Sequence, residues 1–305
     1  MNQMIPIIDF QPFLEGNPLE KKTVAQQFYA ALADVGCLYL KNYGFSTDLV
    51  AQVFAESKAF FDLPLEEKMQ LALNPKEPSI GYYRNNSRTQ EIFNYAAEKR
   101  HPISQWPENL PGFRDTVMEF FQGCEDLSWN LFQALAMSLQ LLPTDLTDLI
   151  SDKNCHGALL HYPPINNSPE PNKFRFKPHT GAGTFGLIFQ DEAKGLEICT
   201  RQQQWIPVSS IPGTVVVIME DLIQRWTNDQ LYSTLHKVSI PEEEFYKHQS
   251  RYSLAFKVSP NDDAEIRCFE KCVSEDNPRK YSSISVKDYY QEWEAKHLHI
   301  YSNQN

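Results

Sequence analysis

The hydrophobic pattern opens on a short β-branched run, Ile5 to Ile8, closed by Asp9. Between Leu19 and Val35 the apolar residues Val24, Phe28, Ala31 and Leu32 recur every three or four positions, which predicts a helix. Gly36 stands where a left-handed residue would stop it. Cys37 to Leu40 then read as a strand ended by Asn42, Tyr43 and Gly44. Ser46, Thr47 and Asp48 supply N-cap chemistry for a second helix carrying Leu49, Val53, Phe54 and Phe60. Pro64, followed by Glu66, Glu67 and Lys68, starts a further short helix. Residues 75–112 lose periodicity, and Gly81 to Asn86 read as a loop that could face a ligand. A long helical pattern follows from Phe113 to Leu142, with Pro143 at its end.

From about Gly157 the texture changes. Short apolar runs at Ala158–Tyr162, Phe185–Phe189, Leu196–Cys199, Thr214–Met219, Thr234–Ser239 and Arg251–Val258 alternate with Pro, Gly, Asn and Asp. That spacing predicts a β-sandwich or barrel. Val286 to Ile300 read as a closing amphipathic helix. The pattern divides into an N-terminal region (1–112), a helical packing segment (113–156), a β-rich region (157–285) and a C-terminal helix (286–305), forming one integrated unit.

Length and charge narrow the function classes. A chain of 305 residues would hold about two domains at roughly 150 residues each, or one embellished barrel. Lys and Arg number 28 against 39 Asp and Glu, a net charge of −11. Nucleic acid and anionic membranes need a basic face, so neither is the expected partner. The six cysteines form no CxxC pair and read as buried free thiols of a reducing compartment. No signal peptide or membrane span is visible, which makes the cytoplasm the default location. Nothing marks an oligomeric interface.

Candidate chemistry lies in the β-rich region. His179 precedes one apolar run, His236 sits in another, and Arg251 and Ser253 open a third. Two histidines on different strands of a small barrel can converge on one metal through neutral imidazole nitrogens. Singly, each is more often a hydrogen-bonded core or surface residue, and eight histidines occur. His101, His248, His297 and His299 lie in polar segments and are set aside.

Taken in order, the motifs resemble the isopenicillin N synthase-like branch of the Fe(II)/2-oxoglutarate oxygenase superfamily. IPIIDF, GCLYLKNYGF, AFFDLPLEEK, the Gly81-Tyr82 segment and Glu91-Ile92-Phe93 are similar to its N-terminal region. HYPP at 161–164, PHTGAGT at 178–184, DLIQRWTND, STLHKV and RYSLAF are similar to its oxygenase half. The resemblance implies a mainly β fold with flanking helices: a double-stranded β-helix (jelly-roll, cupin-like) core with an N-terminal helical region. It implies Fe(II), 2-oxoglutarate and O2 as cofactors and a small-molecule substrate. His179 and His236 match two iron ligands. Arg251 and Ser253 match the Arg-x-Ser pair that holds the distal carboxylate of 2-oxoglutarate, and Tyr162 matches a tyrosine that helps there. The Asn common two positions before that tyrosine is Leu160 here.

The chain departs from the family at Gly181. The family motif is His-x-Asp, and Gly181 stands in place of the carboxylate ligand. Asp191 and Glu192 are the nearest acids downstream but resemble an ordinary turn, so no replacement is apparent. Three readings follow. Halogenases of the superfamily carry Gly or Ala here, so chloride or bromide could bind iron and be transferred to an aliphatic carbon. Alternatively the chain is a hydroxylase with a natural or engineered Asp-to-Gly change and altered activity. In the third reading the pocket binds a small molecule without catalysis. The intact set of His179, His236, Arg251 and Ser253 favours an enzyme, and halogenation is the leading expectation. Glycine at 181 would also serve a turn. Family analogy puts substrate contacts at Tyr82, Tyr83 and Arg84, with Arg88 nearby; packed tyrosines of an ordinary surface loop are the alternative.

Overall fold

The computed structural model describes residues 4–73, 79–85, 87–97, 105–165, 174–243 and 247–301. Strand β1 (Ile7–Asp9) leads into helices α1 (Gln11–Glu15) and α2 (Pro18–Asp34). Helix α2 starts a residue before the apolar spacing predicts because Asn17 caps it. The Asn17 side chain accepts from the N–H groups of Leu19 and Glu20, and Glu20 accepts from the N–H of Asn17. Gly36 then takes φ +74°, and a Cβ there would meet Thr234 Oγ1 at 2.1 Å, so both conformation and space require glycine. Strand β2 (Cys37–Lys41) precedes α3 (Thr47–Asp62), whose N-cap Ser46 accepts from Asp48 N–H, and α4 (Leu65–Gln70) follows.

The stretch read as a ligand-facing loop forms strand β3 (Gly81–Arg84), paired with β4 (Glu91–Ala96). Tyr82 and Tyr83 are residues of an edge strand and lie on opposite faces of the sheet. Asn86 lies outside the described residues. Helix α5 (Phe113–Ser138) ends earlier than Pro143 implies, since Gln140 adopts φ 56°, and Pro143 instead begins α6 (Pro143–Thr147).

The β-rich region supplies β5 (Asn154–Tyr162), β6 (Phe174–His179), β7 (Phe185–Gln190), β8 (Leu196–Cys199), β9 (Trp205–Pro207) and β10 (Thr214–Met219). Helix α7 (Asp221–Trp226), β11 (His236–Ser239), β12 (Arg251–Ser259), β13 (Glu265–Ile266), β14 (Ile284–Ser285) and α8 (Val286–Tyr301) complete the chain. The major sheet runs β1-β2-β10-β7-β12-β5-β4-β3, and the minor sheet runs β6-β11-β8-β9. All four strands of the N-terminal region therefore join the sheet that carries β5, β7, β10 and β12.

Alternation along the strands gives the major sheet two different faces. Leu159, Leu187, Val217, Leu254 and Phe256 pack outward into one core with Phe28, Phe60 and Phe121 of the helices. Their neighbours Leu160, Tyr162, Val216 and Ile218 point the other way and join Leu196, Ile198 and Val238 of the minor sheet in a second cluster. This is the jelly-roll arrangement, and the candidate site lies between the sheets. All six cysteines are buried and free. Among the described residues, no helix is long and apolar enough to cross a membrane.

Candidate active site

Antiparallel pairing of β11 with β6 sets His236 directly opposite His179. Their ring centroids are 4.2 Å apart, and both residues are buried. Nδ1 of His179 lies 2.7 Å from the Lys177 carbonyl, and Nδ1 of His236 lies 2.9 Å from the Thr234 carbonyl. A carbonyl only accepts, so each Nδ1 carries a hydrogen, which in a neutral ring leaves the lone pair on Nε2. Burial pushes the His236 imidazole down to about 4, despite the bond to Thr234, so it is neutral at ordinary pH. A neutral ring with its far nitrogen fixed by a carbonyl suits a metal ligand. His248 is exposed, while His101 and the side chains of His297 and His299 lie outside the described residues.

The set expected to hold a carboxylate comes from β12 and its neighbours. Arg251 is the register partner of Tyr162 on β5, and Ser253 is the partner of both Leu160 on β5 and Gln190 on β7. Two positions apart on one strand, Arg251 and Ser253 share the inward face. Arg251 is 1% exposed. Its Nη2 donates to Gln190 Oε1 at 2.8 Å and its Nη1 to Ser253 Oγ at 3.4 Å, while its Nε has no hydrogen-bond partner. The guanidinium lies 5.1 Å from the Tyr162 ring centroid. Burial raises the Tyr162 hydroxyl pKa, and Gln90 donates to its oxygen at 3.4 Å. A second guanidinium, Arg175, is also buried, with Nε and Nη1 lacking partners. Burial, followed by repulsion from Arg251, pushes it down to about 10. A buried, incompletely satisfied cation costs free energy in isolation, so this set fits an anionic cosubstrate such as 2-oxoglutarate.

Gly181 occupies a crowded position. Its backbone does not lie in the left-handed region, so no turn geometry demands glycine. A Cβ built there would stand 2.1 Å from Cδ and 2.2 Å from Oε1 of Glu220, so a side chain at 181 would require the Glu220 carboxyl end to move. Glu220 follows β10 directly, and its N–H donates to the Thr184 carbonyl at 3.0 Å. Its Oε2 accepts from Gly183 N–H at 2.7 Å, and Lys257 Nζ lies 3.8 Å from Oε1. Burial raises its pKa, partly opposed by Lys257 and the Gly183 N–H. Asp191 and Glu192 take no part in this: Asp191 accepts from the N–H groups of Tyr252 and Ala193 and caps the turn after β7.

His179, His236, Glu220, Arg251, Ser253 and Tyr162 all line one cavity of about 260 Å³ between the sheets. Its remaining wall is largely apolar, with Phe176, Ile188 and Leu160 contributing. In the present side-chain positions, no group of three His, Cys, Asp or Glu among the described residues is arranged around a metal. Tyr82 is turned away from the cavity: it is 1% exposed, and its hydroxyl donates to Glu91 at 2.6 Å. Arg84 shares that face, with Nε 3.9 Å from Glu91. Tyr83 pairs with Ile92, which lines the cavity, so of the three only Tyr83 lies on the cavity side of the sheet.

Glu220, Gln190, Gln90 and Arg175 were beyond the sequence reading. Only Glu220 carried a local signal, an acid directly after the apolar run Thr214–Met219.

Comparison with known proteins identifies the family. Residues 5–109 match the model of the non-haem dioxygenase N-terminal region, described from morphine synthesis. Residues 154–260 match that of the 2OG-Fe(II) oxygenase superfamily. A 2-oxoglutarate-Fe(II) type oxidoreductase of Metarhizium rileyi, ppzD, is 31% identical over 93% of this chain and 89% of its own. The proline hydroxylase buaE of Petromyces alliaceus is 31% identical over 90% of this chain and 93% of its own. The crystal structure of a full-length Neurospora crassa protein in complex with alpha-KG superposes with a TM-score of 0.88 at 29% identity, covering 96% of each chain.

Proposed function

This chain belongs to the 2OG-Fe(II) oxygenase superfamily, and within it we propose that the protein hydroxylates an aliphatic C–H bond of a small molecule. It is an oxidoreductase that uses Fe(II), 2-oxoglutarate and O2. The convergence of the His179–His236 pair and the buried Arg251 on one cavity supports oxygenase chemistry, and the Glu220 carboxyl group against Gly181 favours hydroxylation over halogenation. In this proposal His179 and His236 hold the iron through Nε2, their tautomers fixed by the carbonyls of Lys177 and Thr234. Arg251 and Ser253 receive the distal carboxylate of 2-oxoglutarate, with Tyr162 flanking the guanidinium. When bound, Fe(II), 2-oxoglutarate and O2 would supply the oxidising power for placing one oxygen atom on the substrate carbon, with succinate and CO2 as co-products. The apolar wall excludes water and holds a compact organic molecule near the histidines. Small-molecule relatives support that class: the Neurospora crassa protein was also crystallised with thymine, and buaE is named a proline hydroxylase. Tyr83 is the substrate contact retained from the β3 segment.

Halogenation is the second reading, and the glycine at 181 is what favours it. Against it, the Glu220 carboxylate fills the space beside Gly181 that an inner-sphere halide would need, and adds a negative charge there. A non-catalytic binding protein predicts ligand binding that survives His236→Ala.

Anaerobic Fe(II) and 2-oxoglutarate should give a visible charge-transfer band. Oxygen should then convert 2-oxoglutarate to succinate with an amino acid, nucleobase or similar small substrate. Hydroxylated product insensitive to chloride and bromide is the expected result. Halogenated product would replace this reading with the second one, and absence of both the band and succinate would overturn the enzyme assignment.

A further inference from the structure

We infer that Glu220 supplies the metal-binding carboxylate that residue 181 lacks, entering the site from the end of β10 instead of from the segment after β6. The inference rests on the oxygenase reading above and concerns only the third protein ligand.

The first argument is spatial. The three nearest atoms to a Cβ at position 181 all belong to Glu220: Cδ at 2.1 Å, Oε1 at 2.2 Å and Cγ at 2.6 Å. The Glu220 carboxyl group therefore occupies the position that the Cβ of a side chain at 181 would take. A side chain at 181 and the present Glu220 conformer cannot coexist unless the carboxyl end of Glu220 moves.

The second argument is the shape of the cradle. A Cβ at Gly183 would meet Glu220 Oε2 at 2.7 Å, and one at Gly186 would meet Oε1 at 3.2 Å. Three glycines thus surround one buried carboxylate, and larger residues at 181 or 183 would displace it. Glu220 also lines the same cavity as His179 and His236. An acid placed among backbone and apolar strands needs a function to offset its desolvation. Its one close hydrogen bond, from Gly183 to Oε2, and a 3.8 Å approach by the half-exposed Lys257 are modest compensation.

The third argument concerns reach. The Glu220 backbone is fixed by its bond to Thr184, while two side-chain torsions beyond Cβ remain to aim the carboxylate. Among the described residues, no three donors surround a metal in the present side-chain positions, so the inference requires those torsions to carry the carboxylate toward the histidines with which it shares the cavity. Two imidazoles and one carboxylate are the donor types that suit Fe(II).

Anaerobic Co(II) titration, followed by visible absorption, tests this without turnover. Wild-type protein should bind one equivalent, and Glu220→Gln should weaken binding by on the order of a hundredfold with unchanged melting temperature. The exchanged variant Gly181→Asp/Glu220→Gly should recover most of that affinity, because removing the Glu220 side chain clears the nearest obstruction. If Glu220→Gln binds Co(II) within threefold of wild type with the same spectrum, the inference is wrong. If the single variant weakens but the folded double variant stays equally weak, Glu220 is a packing residue and the inference also fails. Should the double variant not fold, the spectrum and affinity of Glu220→Gln decide. Wild-type protein that binds no Co(II), and matches His236→Ala, would instead remove the metal-enzyme reading beneath it.

Discussion

Lys68 and Glu91 form an ion pair at 3.1 Å with each side chain 6% exposed. Glu91 also accepts from Tyr82 and from His161 Nδ1, and Lys68 donates to the Phe61 carbonyl. The cluster ties α4 to β3, β4 and β5 on the face of the major sheet opposite the cavity. Breaking a buried pair leaves an uncompensated charge, so Lys68→Met should cost about 3–5 kcal/mol, read from urea unfolding.

The same cluster sets an acid limit on stability. Burial pushes the Glu91 carboxyl up, but the bonds from His161 and Tyr82 and the Lys68 charge together outweigh it and hold it at about 2. A depressed carboxyl stabilises the fold fully above its unfolded value, near 4.5, and that contribution disappears as pH falls toward 2. Glu91→Gln should therefore lower stability at neutral pH and flatten its fall through this window. Equal slopes for variant and wild type would show that Glu91 does not set the limit.

At the carboxylate site, Arg251→Lys retains the charge but loses the planar fork. The loss of one or two charge-assisted hydrogen bonds, about 1.5–3 kcal/mol, corresponds to roughly ten- to hundredfold weaker 2-oxoglutarate binding. Ser253→Ala should cost less, about 1 kcal/mol. Anaerobic titration of the charge-transfer band measures both.

Metal should stabilise the folded chain. At a free metal concentration of about a hundred times Kd the gain is about 2.7 kcal/mol, so a chelator should lower the melting temperature by several degrees. His236→Ala should melt at the same temperature with and without metal.

Gly157 faces Tyr95 across β4 and β5, and a Cβ there would stand 2.3 Å from the ring. Gly157→Ala should destabilise by about 1–3 kcal/mol through overpacking, measured by thermal melting.

Most of the β-rich half could be read from the chain because its strands are bounded by Pro, Gly, Asn and Asp. Leu196–Cys199 and Thr214–Met219 fall where the apolar runs lie. The β3–β4 pair could not, since Gly81 to Arg84 is four residues long and its alternation is hidden by two adjacent tyrosines. Its inner face is defined by a partner strand seventy residues away, β5. The Arg251–Ser253 spacing needs only strand alternation, so it is visible in one dimension. The contact between Gly181 and Glu220 is not, because it joins segments 39 positions apart through the pairing of β7 with β10.

The position of Glu220 has a mechanical consequence. His179 and His236 belong to the minor sheet, whereas Glu220 extends a strand of the major sheet. A metal held by all three would rivet the two sheets together across the cavity. Loading the metal should then slow hydrogen exchange on β10 as well as on β6 and β11, making the separation of the sheets and the retention of the ion one coupled equilibrium.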